Sequence, residues 1–451
     1  MSKISARLRN RLAVPVLFAL GIAMTFAREM LLARVFGTTR EIEIFRLAFA
    51  APNMLSQSLA PAFIGAVMPL LVKAEMNGPG ARAAQLRQIM RANIIGAAIV
   101  TLLCLATSVW QARLLAPGFT AQEQHYLAQQ IAIGWFFFLV MSLSFGIRTA
   151  INLDGVLWPG AATSLTVAAV VAAGCLFGLT LHEPGFWTST NLLALTIAGA
   201  GCVLALHLAA ARRAIAELVR GRSAADDAMT IGLRAVMLAI FVVALCKVSN
   251  AAPRFVDRVF ATEFPQGTLA ALEYSYGILN VPGILLATSL IMIAYPSFVR
   301  AIESRTLNVR WRNYCGATVA VTVVAVLIAA VLFIWAPSLI ALAYGGGAFD
   351  ETAVATTALI LKWQSAGLGP MVAVLILGQA LLAYRAYGML LAIGAMKVAV
   401  KIVAIRWLSD TYGLAGLAAS FSVTEFATLL MLAIALTAVA ARHSQGAAAR
   451  V

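Results

Sequence analysis

Long runs of apolar residues alternate with short polar segments along the whole chain. Each run approaches or exceeds the roughly 20 residues that an α-helix needs to cross the hydrocarbon core of a bilayer. The pattern therefore predicts an all-α polytopic membrane protein with about twelve transmembrane helices. The predicted segments are 12–36, 44–72, 89–110, 128–151, 158–181, 192–211, 231–250, 269–299, 317–344, 353–383, 388–408 and 413–440. Pro52, Asn53 and Pro282 lie inside long segments, where we expect helix kinks.

Composition supports the membrane class, because 62% of the 451 residues are hydrophobic and only 11% are charged. A soluble domain of this size could not cover so much apolar surface. The chain has 33 Lys and Arg against 18 Asp and Glu. Most of these basic residues lie in short loops, where they set membrane topology, so we expect no nucleic-acid partner.

The basic loops all fall on one side of the predicted membrane, together with both termini. The positive-inside rule therefore places both termini in the cytoplasm. The apolar run after Lys3 and Arg7 continues to Arg34, which is too long for the apolar core of a cleaved signal. We interpret it as a retained first helix.

The polar stretch 212–229 divides the chain into two six-helix halves, predicted as lobes 1–220 and 221–451. The halves resemble each other in sequence. Arg34-Val-Phe36 recurs as Arg258-Val-Phe260, and the motif Met-Pro-Leu-Leu-Val-Lys that ends at Lys73 has an echo ending at Arg300. Repeated halves are a recurrent plan of secondary transporters, which bind substrate where the repeats meet.

Charged residues inside the apolar segments are the main candidates for a functional site. A charge near the bilayer centre costs about 2.5–3.5 kcal/mol or more, so it usually faces a bundle interior or a water-filled cavity. The candidate cations are Arg28, Arg46, Lys247, Arg254 and Arg258, with Glu29, Glu43, Asp257 and Glu273 as gating or charge partners. This excess of cations predicts a central basic cavity for an anionic substrate, with Arg28, Arg46, Lys247 and Arg254 facing it.

Two of these assignments have alternatives. Arg28 contacts substrate in the interpretation that we favour, or forms a buried ion pair with Glu29 or Glu43. The second assignment concerns Arg254, Asp257 and Arg258. They form either a helix face with two cations and one acid, or a solvated helix end that begins at Pro253. Glu273 is expected to pair with Lys247 or to gate it.

Lys397 and Lys401 lie one helical turn apart in the eleventh segment, and Glu425 lies in the twelfth. We favour a Lys–Glu pair between adjacent helices. The alternative is an ion or proton relay, since burial favours the neutral form of a carboxyl group. Neither the cysteines nor the histidines have metal-ligand spacing. The sequence also lacks nucleotide-binding and catalytic motifs, so we expect no metal, no cofactor other than a possible coupling ion, and no enzyme activity.

Several motifs resemble one known family. They are Phe26-Ala-Arg-Glu-Met-Leu-Leu-Ala-Arg-Val-Phe-Gly37, Ala50-Ala-Pro-Asn-Met54, Leu114-Leu-Ala-Pro-Gly-Phe119, Val281-Pro-Gly-Ile-Leu285 and Val400-Lys-Ile402. Together they resemble the MviN/MurJ family of lipid II flippases, part of the multidrug/oligosaccharidyl-lipid/polysaccharide (MOP) exporter superfamily. The resemblance implies a V-shaped, two-lobed, monomeric flippase in the bacterial inner membrane, surrounded by membrane lipids. It would move an undecaprenyl-pyrophosphate-linked glycan from the cytoplasmic to the outer leaflet.

The chain departs from the family pattern at three arginine positions, which hold Ile22, Ser56 and Gly277. It also ends after twelve predicted helices, where typical members carry two more. The expected substrate is therefore lipid II or a related lipid-linked polysaccharide precursor. An ion-coupled small-solute or drug antiporter of the same superfamily is the alternative, and a scaffold in cell-envelope synthesis is a third. A basic cavity argues against cationic drugs.

Overall fold

A computed structural model describes residues 3–76, 79–181, 186–212, 233–303, 307–384 and 386–448. These residues form sixteen named α-helices and no strand. They divide into two compact units, residues 1–248 and 249–451. The lobe boundary predicted at residue 220 lies outside the described residues.

The first unit is built from eight helices and the start of a ninth. They are α1 (Lys3–Phe36), α2 (Arg40–Met76), α3 (Pro79–Ala106), α4 (Ser108–Leu115), α5 (Ala121–Leu153), α6 (Trp158–Ala161), α7 (Thr163–Leu181), α8 (Ser189–Ala210) and α9 (Leu233–Ala261). The unit boundary falls inside α9.

The second unit contains the rest of α9 and seven further helices. They are α10 (Thr268–Glu303), α11 (Leu307–Ile334), α12 (Ala336–Tyr344), α13 (Glu351–Ser365), α14 (Leu368–Ala383), α15 (Tyr387–Tyr412) and α16 (Leu414–Ala448).

Ten of the described helices are long and apolar enough to cross a membrane. The pair α13 and α14, bent by 52°, makes an eleventh candidate span. Helix α9 has 29 residues, which correspond to about 44 Å at 1.5 Å per residue, so its length suffices for a twelfth. The predicted all-α polytopic class is confirmed.

Four predicted segments are wrong in one respect, because each is two helices rather than one. The breaks lie at Thr107, Ala162, Trp335 and 366–367. Pro370 accounts for the last break, since it has no N–H to donate to the carbonyl of Ala366. At Thr107 the hydroxyl donates to the carbonyl of Leu103 at 2.8 Å, a local bond that competes with regular helix geometry.

The seventh predicted segment was too short. It was expected to end at residue 250, but α9 continues through Pro253 to Ala261. Arg254, Asp257 and Arg258 therefore lie on a continuous helix, and a solvated helix end beginning at Pro253 is wrong. The predicted kink residues Pro52 and Asn53 lie within α2, and Pro282 lies within α10.

Close backbone packing positions the first two candidate helices. In the first unit α2 packs along α5, and α1 packs along α7. A Cβ atom at Gly134 of α5 would lie 2.8 Å from the carbonyl oxygen of Ala48. Only glycine allows this approach, and Ala48 lies two residues beyond Arg46. The placement of Arg46 therefore depends on the contact between α2 and α5.

Candidate functional site

Two arginines from different helices meet on one carboxylate in the first unit. Arg28 Nη2 donates to Glu29 Oε1 at 2.5 Å, and Arg46 Nη2 donates to Glu29 Oε2 at 2.8 Å. We call these three residues the Glu29 cluster. It links α1 to α2, and the predicted sites Arg28, Glu29 and Arg46 are therefore neighbours.

The Glu29 cluster is sheltered but accessible. The side chains of Arg28, Glu29 and Arg46 are 19%, 16% and 10% exposed. Two guanidinium groups face one carboxylate, so the cluster has a net positive charge. The structure shows the ion pair of Arg28 with Glu29 that was the alternative to substrate contact. Contact of Arg28 with substrate stays a prediction.

Glu43 has a different partner from the one expected. It is 1% exposed and accepts a bond from Arg40 at 2.7 Å. Arg40 also pairs with Glu123 at 2.8 Å and stacks over the Phe119 ring at 4.2 Å. Arg40 therefore ties the start of α2 to the loop before α5, and Glu43 is a charge partner of Arg40.

The second unit repeats the arrangement of two arginines on one glutamate. Arg258 Nε donates to Glu273 Oε1 at 2.8 Å, and Arg254 Nη2 lies 3.4 Å from Glu273 Oε2. The Arg254 guanidinium also lies 3.7 Å from the centre of the Tyr276 ring. We call Arg254, Arg258 and Glu273 the Glu273 cluster. It joins α9 to α10 as the Glu29 cluster joins α1 to α2.

Farther along the second unit, two lysines of α15 are buried in ion pairs. Lys397 Nζ donates to Glu425 Oε1 at 2.7 Å, so the predicted Lys–Glu pair is confirmed. Lys401, only 1% exposed, pairs with Asp257 at 2.5 Å and donates to the Ser420 hydroxyl at 2.9 Å. The Asp257–Lys401 pair joins α9 to α15.

Lys247 lies in α9, but its side chain is outside the described residues. Its predicted pairing with Glu273 therefore stays a prediction, although Glu273 has Arg254 and Arg258 as partners. The expectation of one cavity shared by Arg28, Arg46, Lys247 and Arg254 also stays a prediction.

Three described side chains were missing from the predicted site. Tyr276 stacks with Arg254, and Ser420 accepts a hydrogen bond from Lys401. A tyrosine or a serine inside an apolar helix does not by itself indicate a functional site. The third is Arg148, which lies in the predicted segment 128–151. Its charge inside an apolar segment could have identified it as a candidate.

The described residues were compared with the side-chain groups that bind metal ions. Among those residues there is no group of three or more His, Cys, Asp or Glu side chains able to hold an ion. The side chains that gather there are mainly guanidinium and ammonium groups, which are suited to anions.

Comparison with known proteins assigns the chain to a family. The sequence profile described as lipid II flippase MurJ matches residues 32–449. The chain belongs to the lipid II flippase MurJ family. The match covers Arg46 and the described clusters of the second unit, and it begins just after Arg28 and Glu29.

Solved structures show the same fold at low sequence identity. A structure described as lipid II flippase MurJ in an inward closed conformation matches with a TM-score of 0.77 and 15% identity, covering 94% of this chain and 87% of the other. An inward-facing multidrug resistance transporter of the MATE family and MOP superfamily matches with a TM-score of 0.73 and 11% identity, covering 98% and 99%. A MATE transporter of Vibrio cholerae has a TM-score of 0.56 and 14% identity, covering 95% and 98%. This member of the MurJ family thus shares its fold with the matched MurJ and MATE structures.

Proposed function

We propose that this MurJ-family protein is a flippase for an undecaprenyl-pyrophosphate-linked glycan, either lipid II or a related cell-envelope polysaccharide precursor. It acts by alternating access and moves the lipid from the cytoplasmic to the outer leaflet of the bacterial inner membrane. Both termini are cytoplasmic, and the protein works as a monomer without a catalysed reaction. Family membership and the fold support this proposal.

The observation that carries the proposal is the pairing of two arginines with one glutamate in each unit. A guanidinium group presents a planar fork of donors that fits phosphate oxygens, and it stays charged under all relevant conditions. Each cluster has one more cation than anion. A pyrophosphate group can therefore bind to either cluster without first removing a carboxylate.

Glu29 holds the two arginines in place when no substrate is bound. Unpaired charges in a membrane protein are expensive, so a carboxylate between Arg28 and Arg46 stabilises the empty site. The arginines are partly exposed and each uses one terminal nitrogen on Glu29. Because both arginines are partly exposed, phosphate oxygens can approach them, and Glu29 acts as an exchangeable partner.

The sequence repeat places one residue of each cluster at a matched position, and these two residues have opposite charges. Arg46 and Glu273 each stand 23 residues before the proline of the repeated motif, Pro69 and Pro296. The second helix of the first unit thus contributes the base, and that of the second unit contributes the acid. Both units keep an excess of one positive charge in this way.

Energy for transport comes, in this proposal, from an ion gradient or the membrane potential. The candidate group is formed by Asp257, Lys397, Lys401 and Glu425, whose formal charges sum to zero. Because Glu425 and Asp257 are almost fully buried, protonation of either would leave a lysine without its partner. A change of that kind favours rearrangement of α15 against its neighbours.

The alternative is an antiporter for organic cations, which the fold of the MATE neighbours supports. Cationic substrates need an excess of acidic or aromatic groups at their site. The described clusters instead contain two arginines for each glutamate, so anionic substrates are favoured.

Binding of a pyrophosphate lipid to purified variants tests the proposal. Arg28→Gln removes one charge-assisted contact, which is worth about 1.5–3 kcal/mol, so affinity should fall about tenfold or more. Arg34→Gln is the matched control, because Arg34 is exposed on the same helix and has the same charge. Affinity is measured by fluorescence competition in detergent micelles.

Glu29→Gln gives a prediction of opposite sign. It keeps the size of the side chain but releases both arginines from their anion, so affinity for the pyrophosphate lipid should rise. Equal affinity for wild type, Arg28→Gln and Glu29→Gln would show that the Glu29 cluster does not bind substrate.

A further inference from the structure

Arg148 of α5 differs from the arginines of the two clusters. Among the described residues it has no ion pair and no hydrogen bond, and its Nε atom is buried without a partner. Arg82 of α3, in contrast, pairs with Asp154, the residue that caps the same end of α5. Arg148 is thus a half-buried cation that no described acidic side chain neutralises.

The guanidinium group of Arg148 lies directly on the backbone of the short helix α6. A Cβ atom built at Gly160 would be 2.7 Å from Arg148 Nε and 3.2 Å from both Cζ and Nη2. Glycine therefore leaves the space that the guanidinium group occupies. An alanine at this position would push the group away from α6.

The imidazole of His207 in α8 lies near Arg148 and is only 1% exposed. Its ring faces the carbonyl of Pro159, but neither ring nitrogen has a partner in hydrogen-bond geometry. Arg148 and the buried His207 ring have no acidic partner among the described side chains, and we call these two residues the Arg148 site.

The Arg148 site lies at the end of the unit that the loop charges assign to the cytoplasm. Arg148 is six residues before Asp154, or about 9 Å below the end of α5. An arginine side chain at that depth reaches the level of the lipid headgroups. Basic pockets between helices on the cytoplasmic side are suited to acidic lipid headgroups.

Apolar side chains are exposed in the segments next to the site. Leu157, just before α6, is 44% exposed, and Leu208, next to His207, is 40% exposed. Exposed leucines at this position are typical of surface in contact with lipid chains. An anion that reaches Arg148 along this surface arrives attached to a lipid.

We propose that Arg148, supported by Gly160 and His207, binds the phosphate group of an anionic phospholipid in the inner leaflet. This site is separate from the Glu29 and Glu273 clusters and does not depend on the identity of the transported glycan. The bound lipid neutralises Arg148 and holds α5, α6 and α8 together at their cytoplasmic ends.

Thermal unfolding of the delipidated full-length protein tests the proposal. Micelles receive phosphatidylglycerol, phosphatidylcholine or inorganic phosphate alone. We expect phosphatidylglycerol to raise the Tm of wild type and of the control Arg91→Gln, whose arginine is exposed on α3. Arg148→Gln should lose this increase, with an apparent affinity at least about tenfold weaker.

Two further variants separate charge from folding. Arg148→Lys keeps the charge and should keep the preference for phosphatidylglycerol. Gly160→Ala keeps the charge of Arg148 but displaces the guanidinium group, so it should weaken the preference. An unchanged response in Arg148→Gln, loss of the response in Arg148→Lys, or equal increases with phosphatidylcholine would overturn the proposal. An equal increase in Tm with inorganic phosphate would show that the ligand is phosphate and not a lipid.

Discussion

Charged groups on neighbouring described helices meet in two arrangements that bear on function. Glu29 and Glu273 each receive two arginines and leave a net positive charge. Lys397 and Lys401 each pair with one acid, so these pairs have no net charge. The first arrangement is suited to an incoming anion. The second is suited to holding helices together, or to a response when an acid is protonated.

The Lys397–Glu425 pair gives a prediction at this scale. Glu425→Gln should destabilise the fold by about 3–5 kcal/mol, because it leaves a buried ammonium group without its anion. The double variant Lys397→Met with Glu425→Leu removes both charges and should recover most of that loss. Thermal unfolding in detergent measures the two differences.

A stable single variant, or a double variant no better than the single, would contradict the structural role of the pair. Loss of transport in a stable Glu425→Gln variant would instead favour the ion or proton relay.

Residue partners were only partly predictable from the sequence. The Lys397–Glu425 pair follows from charges on consecutive predicted helices. The Asp257–Lys401 pair does not, because its two residues come from helices far apart in the chain, and contacts of that kind depend on tertiary packing. Glu273 was expected to meet Lys247, but its described partners are Arg254 and Arg258, one turn apart on α9.

Helix breaks and continuations show the limits of local sequence signals. Pro253 does not end α9, because neighbouring helices stabilise the segment beyond it. Thr107 does end α3, although it is a weaker helix breaker than proline. The length of the apolar runs predicted which segments are long enough to cross the membrane. Tertiary contacts decide whether a given residue interrupts a helix.

The α2–α5 contact gives a prediction at the level of elements. Gly134→Val places a side chain against the carbonyl of Ala48, so we expect a loss of about 1–3 kcal/mol and a displacement of α2. Because α2 carries Arg46, the affinity for a pyrophosphate lipid should fall as well. Thermal unfolding and lipid binding measure the two effects.

Gly96→Val is the control for that variant, since a Cβ atom at Gly96 of α3 has no neighbour within 4 Å. Equal stability and binding for Gly134→Val and Gly96→Val would show that close packing of α2 on α5 does not position Arg46.

For the whole molecule, the apolar segments were sufficient to predict the class, and the motifs that resemble the MviN/MurJ family were sufficient to predict the family. The long hydrophobic runs correspond to spanning helices, and the profile match extends over most of the chain. The substrate was less predictable, because Ile22, Ser56 and Gly277 replace arginines of the family pattern. The clusters around Glu29 and Glu273 supply basic groups on neighbouring helices, and they favour a pyrophosphate as the group that is bound.

Translocation by the purified protein in liposomes tests the central claim most directly. The liposomes contain a fluorescent undecaprenyl-pyrophosphate-linked glycan, and a membrane-impermeant quencher measures its appearance in the opposite leaflet. We expect transfer by wild type and by Arg34→Gln, and loss of transfer when Arg28 and Arg46 are both replaced by glutamine. Transfer at the wild-type rate by that double variant, or no transfer of any pyrophosphate-linked glycan by wild type, would contradict the proposed function.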